Sequence, residues 1–484
     1  MAAVTDCDRS LLVLAGAGSG KTGVITRKIS YLLEQKKVPA TQIVAVTFTN
    51  KAAREMRTRV NQQVSADIDQ LTISTFHSLG LKIMRSELAP AGLRRGFTIF
   101  DSDDSLKVIK ELVNTSMKDE EIQHRRWQIS AWKNDDITPA AAIELAETSL
   151  DASAAELYTA YQRQLQAYNA VDFDDLICLP LQILRNHADV RQRWQSRIAH
   201  LLIDEYQDTN NTQYELIRIL AGTHGKITAV GDDDQSIYAW RGARPENLQR
   251  LHNDFPDLNI IKLEQNYRST GRILSCANQL ITHNTHEHEK CLWSELGSGE
   301  RIRVMDCKDT EHEAEAIVSN IITKRFKQRI RPGDVAILYR GNHQSRPLEK
   351  VLRMHNLSYR ITGGQSFFER AEVKDILAYL RLLTNPDDDT ALLRIINTPR
   401  RHIGASTLEK IALYANNRHV SLFKACNEAG LTSVLDNRGI QRIQRFTDLM
   451  NELALNSQTV APATVVKQLI SAINYADWLR AVSY

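Results

Sequence analysis

The stretch AGAGSGKT (15–22) holds the residue types that grip a polyphosphate. Gly16, Gly18 and Gly20, interleaved with Ala15, Ala17 and Ser19, let backbone N–H groups turn toward a β-phosphate. A helix starting at this point would add the positive end of its dipole. Lys21 would neutralise the β/γ oxygens, and the Thr22 hydroxyl would hold Mg²⁺. The context agrees, because the aliphatic run LLVLAGA (11–17) leads into the loop and TGVITRKISYLL leads out of it with helical spacing. The first position of the usual pattern is here Ala15 rather than glycine.

A second group is DEYQD (204–208), directly after the apolar HLLI. An acidic pair at the C-terminal end of a strand sits where open α/β sheets bind ligands. Asp204 would reach Mg²⁺, and Glu205 would polarise an attacking water. With the phosphate loop, this implies ATP hydrolysis. A third group, GDDDQSIYAWRGA (231–243), places Gln235 to bond a γ-phosphate and offers two aromatic faces, Tyr238 and Trp240, a few residues on. Bases stack on such faces without sequence preference, at ~1–3 kcal/mol per base. TFTNKAA (47–53) and STFHS (74–78) add polar and aromatic loops at the same sheet edge.

Positioning these groups takes a parallel sheet. LLVLAGA, IVAVTFT (43–49), LTIST (71–75), HLLID (200–204), ITAVGD (227–232) and NIIKLE (259–264) alternate with helical stretches, the pattern of a sheet covered on both faces. The span 78–195 has helical periodicity and reads as an insertion in a first lobe made of 1–77 and 196–270. A second α/β block, 271–366, would use RIRVMDC (301–307), DVAILYR (334–340) and YRITGG (359–364) as strands. Residues 367–484 read as a second helical insertion.

Composition narrows little else. Lys+Arg 61 against Asp+Glu 58 gives a net charge of +3, compatible with a nucleic-acid enzyme that concentrates its positive charge in one groove. The six cysteines form no CxxC pair, which suits a reduced cytosol. The N-terminus has no signal-peptide core, and no apolar run nears the ~20 residues that span a bilayer. The expectation is a cytoplasmic protein. HNTHEHEKC (283–291) lacks the distant second ligand pair of a structural zinc site.

AGAGSGKT, TFTNKAA, STFHS, DEYQD, GDDDQSIYAWRGA and LEQNYRS (263–269), in this order, resemble the motif series of superfamily 1 DNA helicases of the UvrD/Rep/PcrA group. ILYRGNHQSR (337–346) and LTNPDDD (383–389) look closest to its Rep branch. The resemblance implies RecA-like P-loop NTPase lobes, each with a helical insertion, and ATP-driven 3′→5′ movement on single-stranded DNA. It makes Gln235 the γ-phosphate sensor, Arg268 a γ-phosphate arginine and Tyr267 the adenine-stacking residue. Phe48, His77, Tyr238, Trp240 and Arg241 would line the DNA path. TPRRHIGASTL (398–408) matches a segment that touches duplex backbone, with His402 where UvrD-type members carry glycine.

The implied substrates are single-stranded DNA and single/double-strand junctions. The implied partners are replication proteins such as a replicative helicase or restart factors. A UvrD-like repair helicase and a non-motor DNA-binding remnant are the alternatives. Three departures from the pattern set further expectations. Only ten residues precede Leu11 and none is glutamine, Gly23 stands where relatives carry an adenine-facing arginine, and two C-terminal motifs do not occur after residue 366. One of those motifs supplies a second γ-phosphate arginine, and losing such a group costs ~100-fold or more in rate. The expectation is an incomplete second lobe, slow ATP hydrolysis and no unwinding by this polypeptide alone.

Overall fold

The computed structural model describes residues 1–65, 68–113, 117–244, 246–284, 290–362, 367–457 and 459–482. Among them the strands are β1 (Leu11–Ala15), β2 (Ile43–Thr47), β3 (Thr72–Thr75), β4 (Thr98–Ile99), β5 (Ala170–Val171), β6 (His200–Ile203), β7 (Lys226–Gly231) and β8 (Asn259–Leu263). Six of them form one parallel sheet in the order β3-β2-β6-β7-β1-β8, while β4 and β5 pair separately. Every apolar run expected to build the first sheet does so.

The period of two explains how one sheet carries two cores. Leu12 and Leu14 of β1 join one apolar layer with Val44, Val46, Phe76 and Tyr214. Val13 and Ala15 point the other way, onto Ile25, Ile29, Met56 and Val60. Residues of β1, β2 and β6 are buried throughout, as strands covered on both faces must be. Register then fixes the site: Leu14 lies opposite Gly231, and Ala15 opposite Leu263. The C-terminal ends of β6, β7, β1 and β8 therefore converge at one edge.

The stretch between β3 and β6 is largely helical, as expected. Its first helix, Phe76–Ser86, and its last two, Asp175–Asn186 and Ala188–Gln195, contribute Leu79, Ile83, Ile183, Leu184, Val190 and Trp194 to a sheet core. Its middle helices share a separate apolar core with the C-terminal helices: Ile109, Tyr158 and Tyr161 pack in one cluster with Tyr379, Ile395 and Phe446. Arg394 crosses between the two sets of helices, with Nε 2.8 Å from Asp375 and Nη1 2.9 Å from Asp104. His402 takes φ +57°, the left-handed conformation that glycine favours, so the backbone there keeps the shape a glycine would give.

Residues 300–374 form a second compact unit. The helix Thr310–Gln328 packs on Ser345–Met354 through Ala314, Val318, Val351 and Leu352. Here the expected second sheet is corrected. Among the described residues, no strand forms in 301–307, 334–340 or 359–362, and residues 363–364 lie outside the description. Alternation alone does not make a strand, because each needs a neighbour to pair its backbone. Val304 and Leu338 are 89% and 93% exposed, and although Ile337 packs against the core of this unit, the segments find no ladder.

Candidate functional site

The phosphate loop leaves β1 and turns back through Gly18 (φ +73°) and Gly20 (φ +94°), conformations costly to any residue with a Cβ. A side chain at Gly18 would also lie 2.6 Å from the Asn266 amide and 2.8 Å from Cβ of Arg268. Ser19 Oγ donates to Gly16 O at 2.7 Å and closes the loop. The helix Lys21–Glu34 starts directly after Gly20, with its first N–H groups toward the loop. Tyr267 N donates to Gly18 O at 3.0 Å, so the QNYRS segment after β8 is tied to the loop by backbone. The Tyr267 ring and Arg268 lie exposed beside it.

Opposite the loop stand the carboxylates that follow β6. Lys21 Nζ is 3.2 Å from Glu205 Oε2 without the alignment of a hydrogen bond. Glu205 itself holds φ +51°, a strained value for a residue with a side chain. Asp204 is buried, and its Oδ1 has no hydrogen-bond partner among the described residues. Burial, then the charge of Glu205, pushes the Asp204 carboxyl up to about 7. The same two causes raise Asp208 to about 6. An orphaned buried carboxylate oxygen, a lysine Nζ without a hydrogen bond and a neighbouring Thr22 hydroxyl fit a phosphate-bound Mg²⁺.

A chain of hydrogen bonds leads from these carboxylates to the loop after β7. Gln207, 1% exposed, donates through Nε2 to Glu205 at 2.9 Å and accepts from Asp232 N at 2.9 Å. Gln235 Nε2 donates in turn to Asp232 Oδ2. Lys290 Nζ reaches Asp232 at 2.6 Å, Asp234 at 3.1 Å and Asp233 as well. Burial works against the lysine's charge, but the bonds to Asp232 and Asp233 raise its pKa. The three aspartates gather closely enough to suggest a metal, yet a lysine already supplies the cation.

A cleft of about 1330 Å³ joins this chemistry to a set of aromatic side chains. Thr22, Asp204, Glu205 and Gln235 line it, and so do Phe48, His77, Tyr238, Trp240 and Arg241. Tyr238 and Trp240 have ring centroids 6.2 Å apart, and the Arg241 guanidinium lies 4.4 Å over Trp240. Trp240 is 72% exposed, so the ring face away from Arg241 is open. Phe48 packs edge-on against Phe76 at 5.5 Å. His77 is held edge-on to Phe173 at 6.4 Å, and burial lowers its pKa.

The cleft thus gathers Thr22 of the phosphate loop with the expected acidic and aromatic residues, while Tyr267 and Arg268 lie beside that loop outside the cleft lining. Three residues here were not singled out from sequence. Gln207 lay inside the quoted DEYQD, and Phe173 stands in the aromatic–acidic run DFDD (172–175), so both had a local signal. Lys290 had none, since its partners are 56 or more residues away. Of the histidine-rich stretch, His286 and His288 lie outside the described residues.

Comparison with known proteins bears on this arrangement. The family described as "UvrD/REP helicase N-terminal domain" matches residues 1–256, and that described as "UvrD-like helicase C-terminal domain" matches residues 261–479. The chain is 50% identical over 475 residues to "ATP-dependent DNA helicase Rep" of Salmonella typhimurium and to the protein of that name from Escherichia coli, covering 98% of this chain and 70% of each relative. It is 39% identical over 485 residues to "ATP-dependent DNA helicase PcrA" of Staphylococcus aureus, covering 99% and 66%. The expectation of an incomplete second lobe gains no support from these matches. No helix among the described residues is long and apolar enough to cross a membrane.

Proposed function

The chain belongs to the UvrD/Rep family of ATP-dependent DNA helicases, and on that premise we propose that it moves 3′→5′ along single-stranded DNA and opens duplex at single/double-strand junctions. The observation that carries this reading is the shared cleft, where Asp204, Glu205 and Gln235 stand together with Tyr238, Trp240 and Arg241. A nucleotide-dependent shift of Gln235 would reach the base platform within the same short loop, since only two residues separate Gln235 from Tyr238.

In this reading the backbone of Ala15–Gly20 cradles the β-phosphate, and Lys21 offsets phosphate charge. Thr22 and Asp204 would hold Mg²⁺, which supplies further neutralisation of the phosphates when bound. Glu205, freed from Lys21 by the substrate, accepts a proton from the attacking water. Gln235 and Arg268 stabilise charge on the γ-phosphate, and Tyr267 stacks on adenine. Phe48, His77, Tyr238, Trp240 and Arg241 take the single strand, stacking bases in a sequence-tolerant way. The lobe of 1–77 and 196–270 carries these groups, and the helical spans 78–195 and 367–484 would handle duplex and junction. Replication restart or repair, with replication proteins as partners, is the setting this activity suits.

Strand displacement on partial duplexes tests the proposal. The expectation of no unwinding rested on an incomplete second lobe, which the match of a helicase C-terminal domain over 261–479 does not support; unwinding of a 3′-tailed duplex, dependent on ATP and Mg²⁺ and weak on a 5′-tailed one, is expected in its place. Equal unwinding of both, or a preference for the 5′ tail, would overturn the polarity.

A further inference from the structure

The helix Asp119–Asn134 forms part of the cleft wall, and its sequence places HRRW (124–127) two turns before its end. Trp127, Ser130, Ala131 and Asn134 all line the cleft. Their spacing of three, four and seven residues is that of one helix face. Trp127 is 58% exposed, an unusual state for so large an apolar ring on a helix. With the Gln123 amide turned to accept, its oxygen lies 3.2 Å from the indole Nε1, which satisfies the polar edge and leaves the ring face open. Arg126 also lines the cleft; its Nη2 lies 3.3 Å from the same Gln123 oxygen, while its Nε is buried with no hydrogen-bond partner among the described residues.

The wall that carries this tryptophan is fixed to the ATPase loops. Thr212 Oγ1 donates to Lys133 O at 2.7 Å, and Asn211 Nδ2 to Asp135 O at 3.1 Å. Arg244 pairs with Asp135 at 2.7 Å. Ser130 Oγ donates to Asp174 at 2.7 Å, next to the cleft-lining Phe173. Trp127 lies ~10 Å up the helix from Asn134, at 1.5 Å per residue. It is therefore held at a set height above the Gln235–Trp240 loop.

We propose that Trp127, with Arg126 beside it, is a further binding platform for single-stranded DNA, stacking a base while the guanidinium meets a backbone phosphate. This rests on the DNA reading of the cleft given above, and it extends the single-strand track from the sheet edge onto the first helical insertion. An open indole face next to a guanidinium whose Nε lacks a partner, continuous with a cleft holding two further aromatic platforms, matches what a flexible polyanion with π-faces requires.

The test uses the full chain and an oligothymidylate. Trp127→Ala is expected to weaken binding at least about five-fold, and Trp127→Phe to restore most of the affinity. Photo-cross-linking with 5-iodouracil oligonucleotides, mapped by mass spectrometry, should give an adduct at Trp127. Trp240→Ala serves as the control for the cleft itself. Loss of affinity in that control, with Trp127→Ala binding as wild type and no adduct at Trp127, overturns the extension alone. A wild-type chain that fails to bind the oligonucleotide, or is indifferent to Trp240→Ala, overturns the DNA reading and the extension with it.

Discussion

Replacing Gln207 by leucine removes a side chain that touches both the candidate general base and the loop after β7. The substitution deletes the 2.9 Å bond to Glu205 and the 2.9 Å bond from Asp232 N, and it leaves that N–H buried without a partner. A hydrogen bond to a charged group contributes about 1.5–3 kcal/mol. If that energy serves to aim Glu205 at the attacking water, its loss lowers kcat about ten- to hundred-fold. The KM for ATP should change far less, because Lys21 and the loop backbone remain. Gln207→Glu should also lower kcat, since it sets a second carboxylate against Glu205. The assay is steady-state ATP turnover with saturating single-stranded DNA, beside a thermal melt to confirm folding. A folded Gln207→Leu chain with kcat within about two-fold of wild type would refute the positioning role.

Two predictions concern stability. Lys133 is fully buried between Asp172 (2.7 Å) and Asp175 (2.8 Å), so Lys133→Met leaves two carboxylates uncompensated and should cost about 3–5 kcal/mol, read as a lowered Tm. An unchanged Tm would mean those carboxylates are already neutral. His200 opens β6, and burial, reinforced by Lys28 and Lys226, lowers its pKa from 6.5 to about 4. The folded state then binds fewer protons than the unfolded one between those values, so this contribution is present above pH 6.5 and is lost as pH falls toward 4. Between pH 7 and pH 5 the loss is about 2 kcal/mol by linkage, and His200→Leu should lack that part of the acid sensitivity in denaturant titrations.

Much of the first lobe was legible because its signals are local. Five consecutive buried residues in β1 followed by AGAGSGKT leave little freedom of interpretation, and DEYQD follows its strand with no gap. What could not be read is what sheet order decides. Lys290 caps Asp232 across 58 residues of chain, and Arg268, given its place only by the resemblance, comes beside the phosphate loop because β8 pairs with β1. Trp127 belongs to none of the sequence motifs, and only the fold turns it into the cleft. The misread strands at 301–307 and 334–340 teach the converse lesson. Their aliphatic alternation matched β1's neighbours in composition, but pairing is a property of two segments and one segment cannot reveal it. His402 shows a milder case, where a residue other than glycine adopts φ +57° and preserves the local shape.

The most direct test of the account is the rate of ATP hydrolysis with and without single-stranded DNA, for wild type, Lys21→Ala and Trp240→Ala. The account predicts turnover that DNA stimulates in the wild type, no turnover in Lys21→Ala, and a much smaller stimulation ratio in Trp240→Ala. Hydrolysis that survives Lys21→Ala, or stimulation that ignores Trp240, would contradict the claim that one cleft joins the nucleotide to the strand.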